Sequence, residues 1–166
     1  MEHLSYRLER DIDGTMLIRF EDEHGTISYT KSRKPVTDWL EEGEIVHPGS
    51  FNLDYHRTGG PARIFTNGRK LYFKHGYLHR EDGPAIEDPN GNEYWYNGVP
   101  LTKIKFILKT KKLSVTKIIE LFSDPTSICE ENTLAISEAL LKKDISQERI
   151  DKLIRSAQAA HNLIDN

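Results

Sequence analysis

Two stretches of the chain determine its architecture: HRTGGPARIFTNGRKLYF at residues 56–73 and HREDGPAIEDPNGNEYWY at residues 79–96. They are copies of one another at an offset of 23 positions, and both contain His-Arg, Gly-Pro-Ala and Asn-Gly ahead of a bulky triplet. One residue is missing from the second copy before Gly98. Internal repetition of this period predicts a repeat protein, in which each unit buries its apolar face against a neighbour.

Each copy is predicted to form a β-hairpin. Asn67-Gly68 and Asn90-Gly91 are strong turn signals, because both residues of such a pair adopt positive φ at low cost. The bulky triplet after each turn suits a half-buried strand. Because side chains alternate between the two faces of a strand, Tyr72 and Trp95 are expected at equivalent repeat positions opposite the core.

Eight residues that the two copies share are predicted to be structural: His56, Arg57, Gly60, Pro61, His79, Arg80, Gly83 and Pro84. Two of them, Gly60 and Gly83, stand directly before proline and are expected to hold a backbone conformation that a Cβ atom disfavours. If φ at Gly83 is positive, its replacement by alanine should cost on the order of 1 kcal/mol.

The predicted fold is α+β, with an antiparallel β-hairpin repeat array followed by a small C-terminal helical subdomain. The chain is predicted to divide into a degenerate hairpin cap with a connection, the tandem repeats, and the helices, at residues 1–54, 55–102 and 103–166. In the cap, apolar stretches follow Asp13-Gly14 and His24-Gly25. The connection is expected to contain a short helical turn around residues 37–42.

The last part of the chain has apolar side chains at helical spacing. One helix is predicted within residues 102–113, and Ser114 is placed to cap a second. A third helix is predicted over residues 130–143, with an inner side formed by Leu134, Ala135, Ala139 and Leu140. The fourth begins at Ser146 and has the clearest apolar stripe, formed by Ile150, Leu153, Ile154 and Ala157.

The charge is unevenly distributed along a chain whose formal net charge is −3. Residues 1–54 carry a net charge of −6, whereas residues 101–166 carry +2. Six lysines occur between residues 103 and 117 before any acidic residue, and they predict a basic patch at Lys105, Lys109, Lys111 and Lys112. This patch is weaker than the footprint of a dedicated nucleic-acid binder.

The sequence also bears on location. No apolar run approaches the roughly 20 residues that span a bilayer, and the N-terminal residues contain no apolar signal segment. The single cysteine, Cys129, cannot form an internal disulfide and is expected to be packed and inert. We therefore expect a soluble cytoplasmic protein without membrane contact, located in the interior of the host cell if it is viral.

The motif HREDGPA at residues 79–85, followed by PNG and YWYNG, resembles the DGPA-type repeats, distantly akin to MORN repeats, that occur in many phage and giant-virus proteins. The resemblance covers about residues 55–102, which is under a third of the chain. It implies a β-hairpin array and a viral accessory protein, and it implies no reaction. The first copy departs from the motif, because Thr58-Gly59 stands where the second copy has Glu81-Asp82.

Two groups of residues could carry chemistry, and both have a simpler structural interpretation. His75 and His79 are four residues apart, but the pair spans a strand end and a turn rather than a helix, so no metal and no other cofactor is predicted. Acidic residues beside His56 and His79 could act as general acid and base in a hydrolase or small-nucleotide binder, which is the third hypothesis. Capping of turn N–H groups is the simpler role for these acids, which are Glu81, Asp82, Glu87 and Asp88.

The aromatic and basic side chains of the repeats indicate binding rather than catalysis. Because aromatic residues and arginine dominate protein interfaces, the candidate contacts are Tyr72, Trp95, Tyr77, Arg69 and Lys74. The leading hypothesis is a non-catalytic protein that recognises a host or viral protein, as a phage-encoded modulator or inhibitor of host defence or regulation. The alternative is nucleic-acid binding through the lysines of residues 103–117 and the repeat aromatics.

Overall fold

The computed structural model of the chain describes residues 5–31, 54–124, 127 and 129–162. The chain divides into two compact units, Met1–Pro100 and Leu101–Asn166. The helical turn that the sequence predicts around residues 37–42 lies outside the described residues.

The chain begins with short antiparallel strands: β1 (Ser5–Arg10), β2 (Met16–Glu21), β3 (Ile27–Lys31), β4 (Asp54–Tyr55), β5 (Arg63–Ile64), β6 (Lys70–Leu71), β7 (Phe73–Lys74), β8 (Tyr77–Leu78), β9 (Ile86–Glu87), β10 (Tyr94–Tyr96) and β11 (Val99–Leu101). The main sheet has the order β1-β2-β3-β5-β6-β9, and β4 also pairs with β3. Two ribbons, β7–β8 and β10–β11, accompany it. These hairpins confirm the antiparallel β part of the predicted α+β fold.

The pairing register shows that the repeating pattern begins before the two recognised copies. Strand β3 pairs with β5 as β6 pairs with β9, through the partners Ile27↔Ile64, Ser28↔Arg63, Lys70↔Glu87 and Leu71↔Ile86. The β2–β3 hairpin therefore provides the strand with which the first copy pairs. Strand β1 pairs with the whole of β2, so that a strand precedes the Asp13-Gly14 turn of the cap.

The predicted Asn-Gly turns are present, but their conformation differs from the expectation. In each turn the glycine N–H donates to the carbonyl oxygen three residues earlier, from Gly68 to Phe65 and from Gly91 to Asp88, both at 3.0 Å. Only the glycine has positive φ, 89° at Gly68 and 154° at Gly91. The prediction that both residues of each pair adopt positive φ is therefore wrong, because the glycine is the fourth residue of the turn and the asparagine the third, rather than the two being its central pair.

Two further turns close the short ribbons. A turn between His75 and His79 is expected from the sequence, whereas the turn at Asn97-Gly98 is not. His75-Gly76 joins β7 to β8 with φ values of 51° and 81°, and Asn97-Gly98 joins β10 to β11 with 50° and 77°. Positive φ at both residues is the two-residue hairpin geometry that matches strand twist.

The aromatic triplets are related by a shift that corrects the predicted equivalence of Tyr72 and Trp95. The Arg57 N–H donates to the carbonyl of Phe73 at 3.2 Å, and the Arg80 N–H donates to that of Trp95 at 3.3 Å. Trp95 therefore corresponds to Phe73, at an offset of 22. Because the second copy is one residue shorter ahead of the triplet, side-chain alternation places Tyr72 and Trp95 differently.

The core of the repeat region is small and depends on small side chains. Its buried hydrophobic residues are Leu17, Tyr29, Ala62, Leu71, Ala85 and Ile86. Both repeat alanines, Ala62 and Ala85, have no exposed surface, so no larger side chain fits at these positions without displacing a neighbour.

The second unit contains helices where the sequence predicts them: α1 (Lys103–Thr110), α2 (Val115–Glu120), α3 (Glu130–Leu141) and α4 (Gln147–Asn162). The side chain of Thr102 accepts the Lys105 N–H and caps α1, and the Ser114 hydroxyl accepts the Lys117 N–H and caps α2. A 3₁₀ turn, Leu121–Ser123, follows α2 directly.

The helical core consists of Ile104, Ile118, Phe122, Ile136, Leu140 and Ile150. The predicted stripe of α4 packs against it through Leu153, Ile154 and Ala157. The predicted inner side of α3 is wrong at Leu134, which is 58% exposed. Asn132 and Ser137 are buried instead, because their polar groups have internal partners: Asn132 bonds to the Thr102 hydroxyl, and the Ser137 hydroxyl donates to the Thr133 carbonyl.

Candidate functional site

The two repeat histidines hold the two-residue turns in place. Nδ1 of His56 accepts the N–H of His75, and Nδ1 of His79 accepts the N–H of Asn97, each at 3.1 Å. The histidines are only 2% and 7% exposed, so each provides an internal acceptor for a turn 18 or 19 residues further along. A left-handed residue other than glycine is costly, and this hydrogen bond fixes it.

The second nitrogen of each ring faces a carboxylate. Because Nδ1 accepts a hydrogen bond, the proton of the neutral ring lies on Nε2. Nε2–H of His79 donates to Glu81 at 3.2 Å, whereas Nε2 of His56 lies 3.9 Å from the carboxylate of Asp13. The first copy has threonine in place of Glu81, and the preceding hairpin provides the acid. Burial, together with the nearby charge of His75, holds the pKa of His56 below its usual value.

The repeat arginines stack on tyrosines from earlier in the chain, Tyr29 in β3 and Tyr72 between β6 and β7. The guanidinium of Arg57 lies 3.9 Å from the ring centre of Tyr29, and that of Arg80 lies 3.9 Å from the ring centre of Tyr72. Each also donates to the carbonyl of the proline four residues ahead, at 3.4 and 3.2 Å. These contacts join one unit to the next. The arginine of His-Arg and the proline of Gly-Pro therefore take part in the same set of contacts.

The glycines before proline have a different role from the one expected. Neither Gly60 nor Gly83 has positive φ, so the predicted reliance on a glycine-only backbone is wrong. A Cβ atom at Gly83 would lie 3.2 Å from Cζ of Arg80, and one at Gly60 would lie 3.5 Å from Nη1 of Arg57. Gly83 therefore leaves room for the folded-back arginine, whereas a Cβ atom at Gly60 would make only an ordinary van der Waals contact.

The charge around the two arginines is not the same. Arg80 donates to Asp82 at 2.6 Å and also to Glu87, and this second bond holds the pKa of Glu87 below its usual value. At the matching positions the first copy has Gly59 and Ile64. Arg57 forms no ion pair with any residue that the structure describes.

A groove of about 570 Å³ runs between the loops that follow the two arginines, and we call it the loop groove. Residues 57–61 and 80–82 form its sides, Tyr72 and Phe73 its apolar surface, and Lys74 one flank. Ile12, which is 80% exposed, lies at its rim.

Only two of the five predicted contact residues line the loop groove, Tyr72 and Lys74. Tyr72 is half-buried beneath Arg80, and its hydroxyl donates to Glu87 at 3.2 Å. Burial raises the pKa of this phenol. Lys74 is exposed and lies 3.8 Å from the Glu81 carboxylate.

The other three predicted contacts lie elsewhere. Trp95 is half-buried, and its indole N–H donates to Glu93 at 2.9 Å. Arg69 pairs with Asp88 at 3.3 Å. Tyr77 is 62% exposed, with its ring against Gly98 in the next turn. The structure therefore does not gather the predicted aromatics on one exposed face.

Asp11 and Asp13, which the sequence analysis did not single out, meet His56 beside the loop groove. Asp11 accepts the backbone N–H groups of Thr58 and Gly59, and Asp13 accepts the Thr58 hydroxyl at 2.8 Å. Hydrogen bonds from Thr15 and Thr58 hold the pKa of Asp13 far below its usual range. The absence of Glu81-Asp82 counterparts in the first copy was the only signal that these acids had to come from elsewhere.

This cluster fits a loop-fixing role better than a metal site. A metal ion at His56 would need the lone pair of Nε2, but that nitrogen carries the proton because Nδ1 accepts the His75 N–H. Asp11 is already occupied by backbone donors. The donor set therefore does not match what a cation requires.

In the helical unit, all four lysines of the predicted basic patch line one groove of about 580 Å³. Lys142 and Lys143, from the end of α3, line it as well. We call it the lysine groove.

The single cysteine, Cys129, is exposed just before α3, so the expectation of a packed residue is wrong.

Comparisons of the chain with protein-family models, with curated proteins and with solved structures found no match. Among the described residues, no helix combines the length and the apolar character required to cross a membrane.

Proposed function

We propose that this protein is a non-catalytic binding protein that recognises an acidic segment of another protein through the loop groove. The resemblance of its repeats to those of viral proteins makes a host or viral protein the expected partner. The observation that carries the proposal is the difference between Arg57 and Arg80.

The repeat histidines are poorly placed for catalysis. A general base needs a free lone pair within reach of the substrate. In His79, Nδ1 accepts the Asn97 N–H and Nε2–H donates to Glu81, so neither nitrogen is free. This arrangement disfavours the hydrolase hypothesis and supports a structural role for the motif.

The second copy indicates what the first copy lacks. Arg80 is stacked on a tyrosine and neutralised by two carboxylates of its own copy. Arg57 has the same stacking on Tyr29 but no carboxylate partner in the described part of the chain. Guanidinium groups bind carboxylates through paired N–H donors, so a partner's Asp, Glu or C-terminal carboxylate complements this position.

The surroundings of Arg57 favour a peptide as the source of that carboxylate. The loop groove offers the apolar surface of Tyr72 and Phe73 and the exposed Ile12, with Lys74 and the Glu81 carboxylate at its edge. An apolar centre with a charged edge is typical of protein interfaces, and a stacked arginine is a frequent hot spot in them.

The proposal can be tested by quantitative capture. The immobilised chain, its Arg57→Gln variant and the control Arg149→Gln, which removes one exposed arginine of the helical unit, are incubated with lysate of the cell that makes the protein. We expect a protein that the wild type and the control enrich equally and that Arg57→Gln recovers at roughly one tenth or less, the loss of about 1.4 kcal/mol or more that a hot-spot contact implies. Equal recovery by all three would refute the proposal.

A further inference from the structure

The lysine groove combines cations from two separate segments of the helical unit. Lys105 and Lys109 lie on α1, Lys111 and Lys112 follow it, and Lys142 and Lys143 follow α3. Glu138 is the only acidic residue among those lining the groove in the described chain. The fold thus extends the basic patch that the sequence predicts by two lysines that are 30 residues distant from it.

Most of this positive charge has no internal counterpart. Lys105 bonds to Glu131 at 2.6 Å. Lys111, Lys112, Lys142 and Lys143 form no ion pair within the described residues, and all four are exposed. Lysines near a helix C-terminus gain from the helix dipole, which explains why α1 and α3 end in them. The dipole does not explain why both ends converge on one open groove.

The floor of the groove is aliphatic. It is formed by Leu108, Leu113, Ile118, Ala135 and Ala139. Within the described chain no aromatic ring lines it. Single-stranded nucleic acids are held by stacking of their bases on aromatic rings, so this floor does not suit them. Aliphatic side chains of an amphipathic helix do suit it, since such helices bury a stripe of them in a partner's groove.

We infer that the lysine groove docks an acidic amphipathic helix of a partner protein. Its leucine-type side chains would contact Leu108, Leu113 and Ala139, and its carboxylates would face the lysines around them. Charge complementarity sets the register and accelerates association, while the apolar floor supplies the contact area. The lysine groove is independent of the loop groove. The inference about its partner therefore stands whether or not Arg57 binds a carboxylate.

The test is fluorescence anisotropy with the full chain and two labelled peptides. The first is a 16-residue peptide with leucine at positions i, i+3, i+4 and i+7 of each pair of turns and glutamate elsewhere. The second has the same composition in a scrambled order without an apolar stripe. A labelled 20-nucleotide oligothymidylate is the third probe. We expect the first peptide to bind, with an affinity that falls as salt is raised, and the scrambled peptide to bind roughly tenfold more weakly.

Variants assign the binding to the groove. Lys111→Glu/Lys142→Glu should reduce the affinity for the first peptide by roughly tenfold or more. Arg149→Glu/Arg155→Glu, which makes the same charge change at exposed positions of α4, should leave the affinity unchanged within about twofold. Circular dichroism establishes that both variants are folded.

Three results would overturn the inference. They are absence of peptide binding at low salt, equal loss of affinity in both double variants, and equal binding of the two peptides. Tighter binding of the oligonucleotide than of the first peptide, with the same dependence on Lys111 and Lys142, would assign the groove to nucleic acid instead.

Discussion

The imidazole of His79 is fixed at both nitrogens, by the Asn97 N–H and by Glu81. Its role is therefore that of a backbone substitute, which satisfies one turn N–H from a position remote in sequence. His56 does the same for His75. If this is the role of the two histidines, replacing either of them should affect stability, and so should protonating the ring.

Replacing His79 by alanine should destabilise the protein by roughly 2–4 kcal/mol, because the Asn97 N–H loses its acceptor and a void remains at a buried position. His79→Asn should be clearly less harmful, since the asparagine oxygen can occupy the position of Nδ1. His24→Ala, at an 80% exposed side chain, is the control and should change stability by less than about 0.5 kcal/mol. Chemical denaturation monitored by circular dichroism measures all three. Equal losses for alanine and asparagine would contradict the capping role.

His56 should make stability depend on pH in the mildly acidic range. Burial and the nearby His75 lower its pKa in the folded state from the ordinary 6.5, while Asp13 opposes them. As pH falls below about 6.5, the unfolded chain takes up a proton that the folded chain does not, so stability declines until pH reaches the folded pKa. Below that value the two states bind equally.

The matched variant is His56→Asn, which retains an acceptor for the His75 N–H but does not titrate. Unfolding midpoints between pH 7.5 and 5 should decline less steeply for this variant than for the wild type. Identical slopes would show that His56 is not the titrating group.

The turns that join successive strands depend on their glycines to different degrees. Gly98 has a φ of 77°, and a Cβ atom there would lie 2.9 Å from Cδ1 of Tyr77. Gly83 has no such φ, and its Cβ would meet only the guanidinium end of the Arg80 side chain, at 3.2 Å. Backbone and space both oppose a substitution at Gly98, whereas only a small displacement is needed at Gly83.

Gly98→Ala should therefore cost roughly 1–3 kcal/mol, and Gly83→Ala less than about 1 kcal/mol, since alanine also restricts the unfolded chain. Denaturation midpoints of the two variants give the comparison. A larger loss at Gly83 than at Gly98 would mean that the motif glycine holds the backbone after all.

Local signals in the sequence predicted most of the elements. These signals are the Asn-Gly pairs, the change to helical spacing after residue 102 and the Ser114 cap. Each of them determines the conformation of only the few residues around it. The features that the sequence did not reveal depend on contacts between residues far apart in the chain. The His75-Gly76 turn is held by a histidine 19 residues earlier, and Asp11 reaches Thr58 across 47 residues. The sequence shows that the second copy is one residue shorter than the first. It does not show whether that residue is lost before or after the aromatic triplet.

Each proposed surface, one in each compact unit, presents cations that have no ion-pair partner among the described residues: Arg57 in the loop groove, and Lys111, Lys112, Lys142 and Lys143 in the lysine groove. Both surfaces therefore predict acidic partners. The whole chain has a net charge of −3, so long-range attraction to such partners is weak. Recognition then depends on local contacts at short range. Added salt should reduce binding at the lysine groove more than at Arg57, whose stacked guanidinium is partly shielded from solvent.

The most direct test is to measure capture of the partner by a variant in which Arg57 has an internal carboxylate partner, as Arg80 already has. Ile64 corresponds to Glu87 in the pairing register, so the Ile64→Glu side chain should reach Arg57, while Ile64→Gln has the same shape without the charge. With both variants folded by circular dichroism, capture of the partner is quantified beside the wild type. We predict that Ile64→Glu loses the partner to the same extent as Arg57→Gln and that Ile64→Gln retains most of it. Equal capture by the glutamate and glutamine variants would contradict the assignment of Arg57 as the site of an external carboxylate.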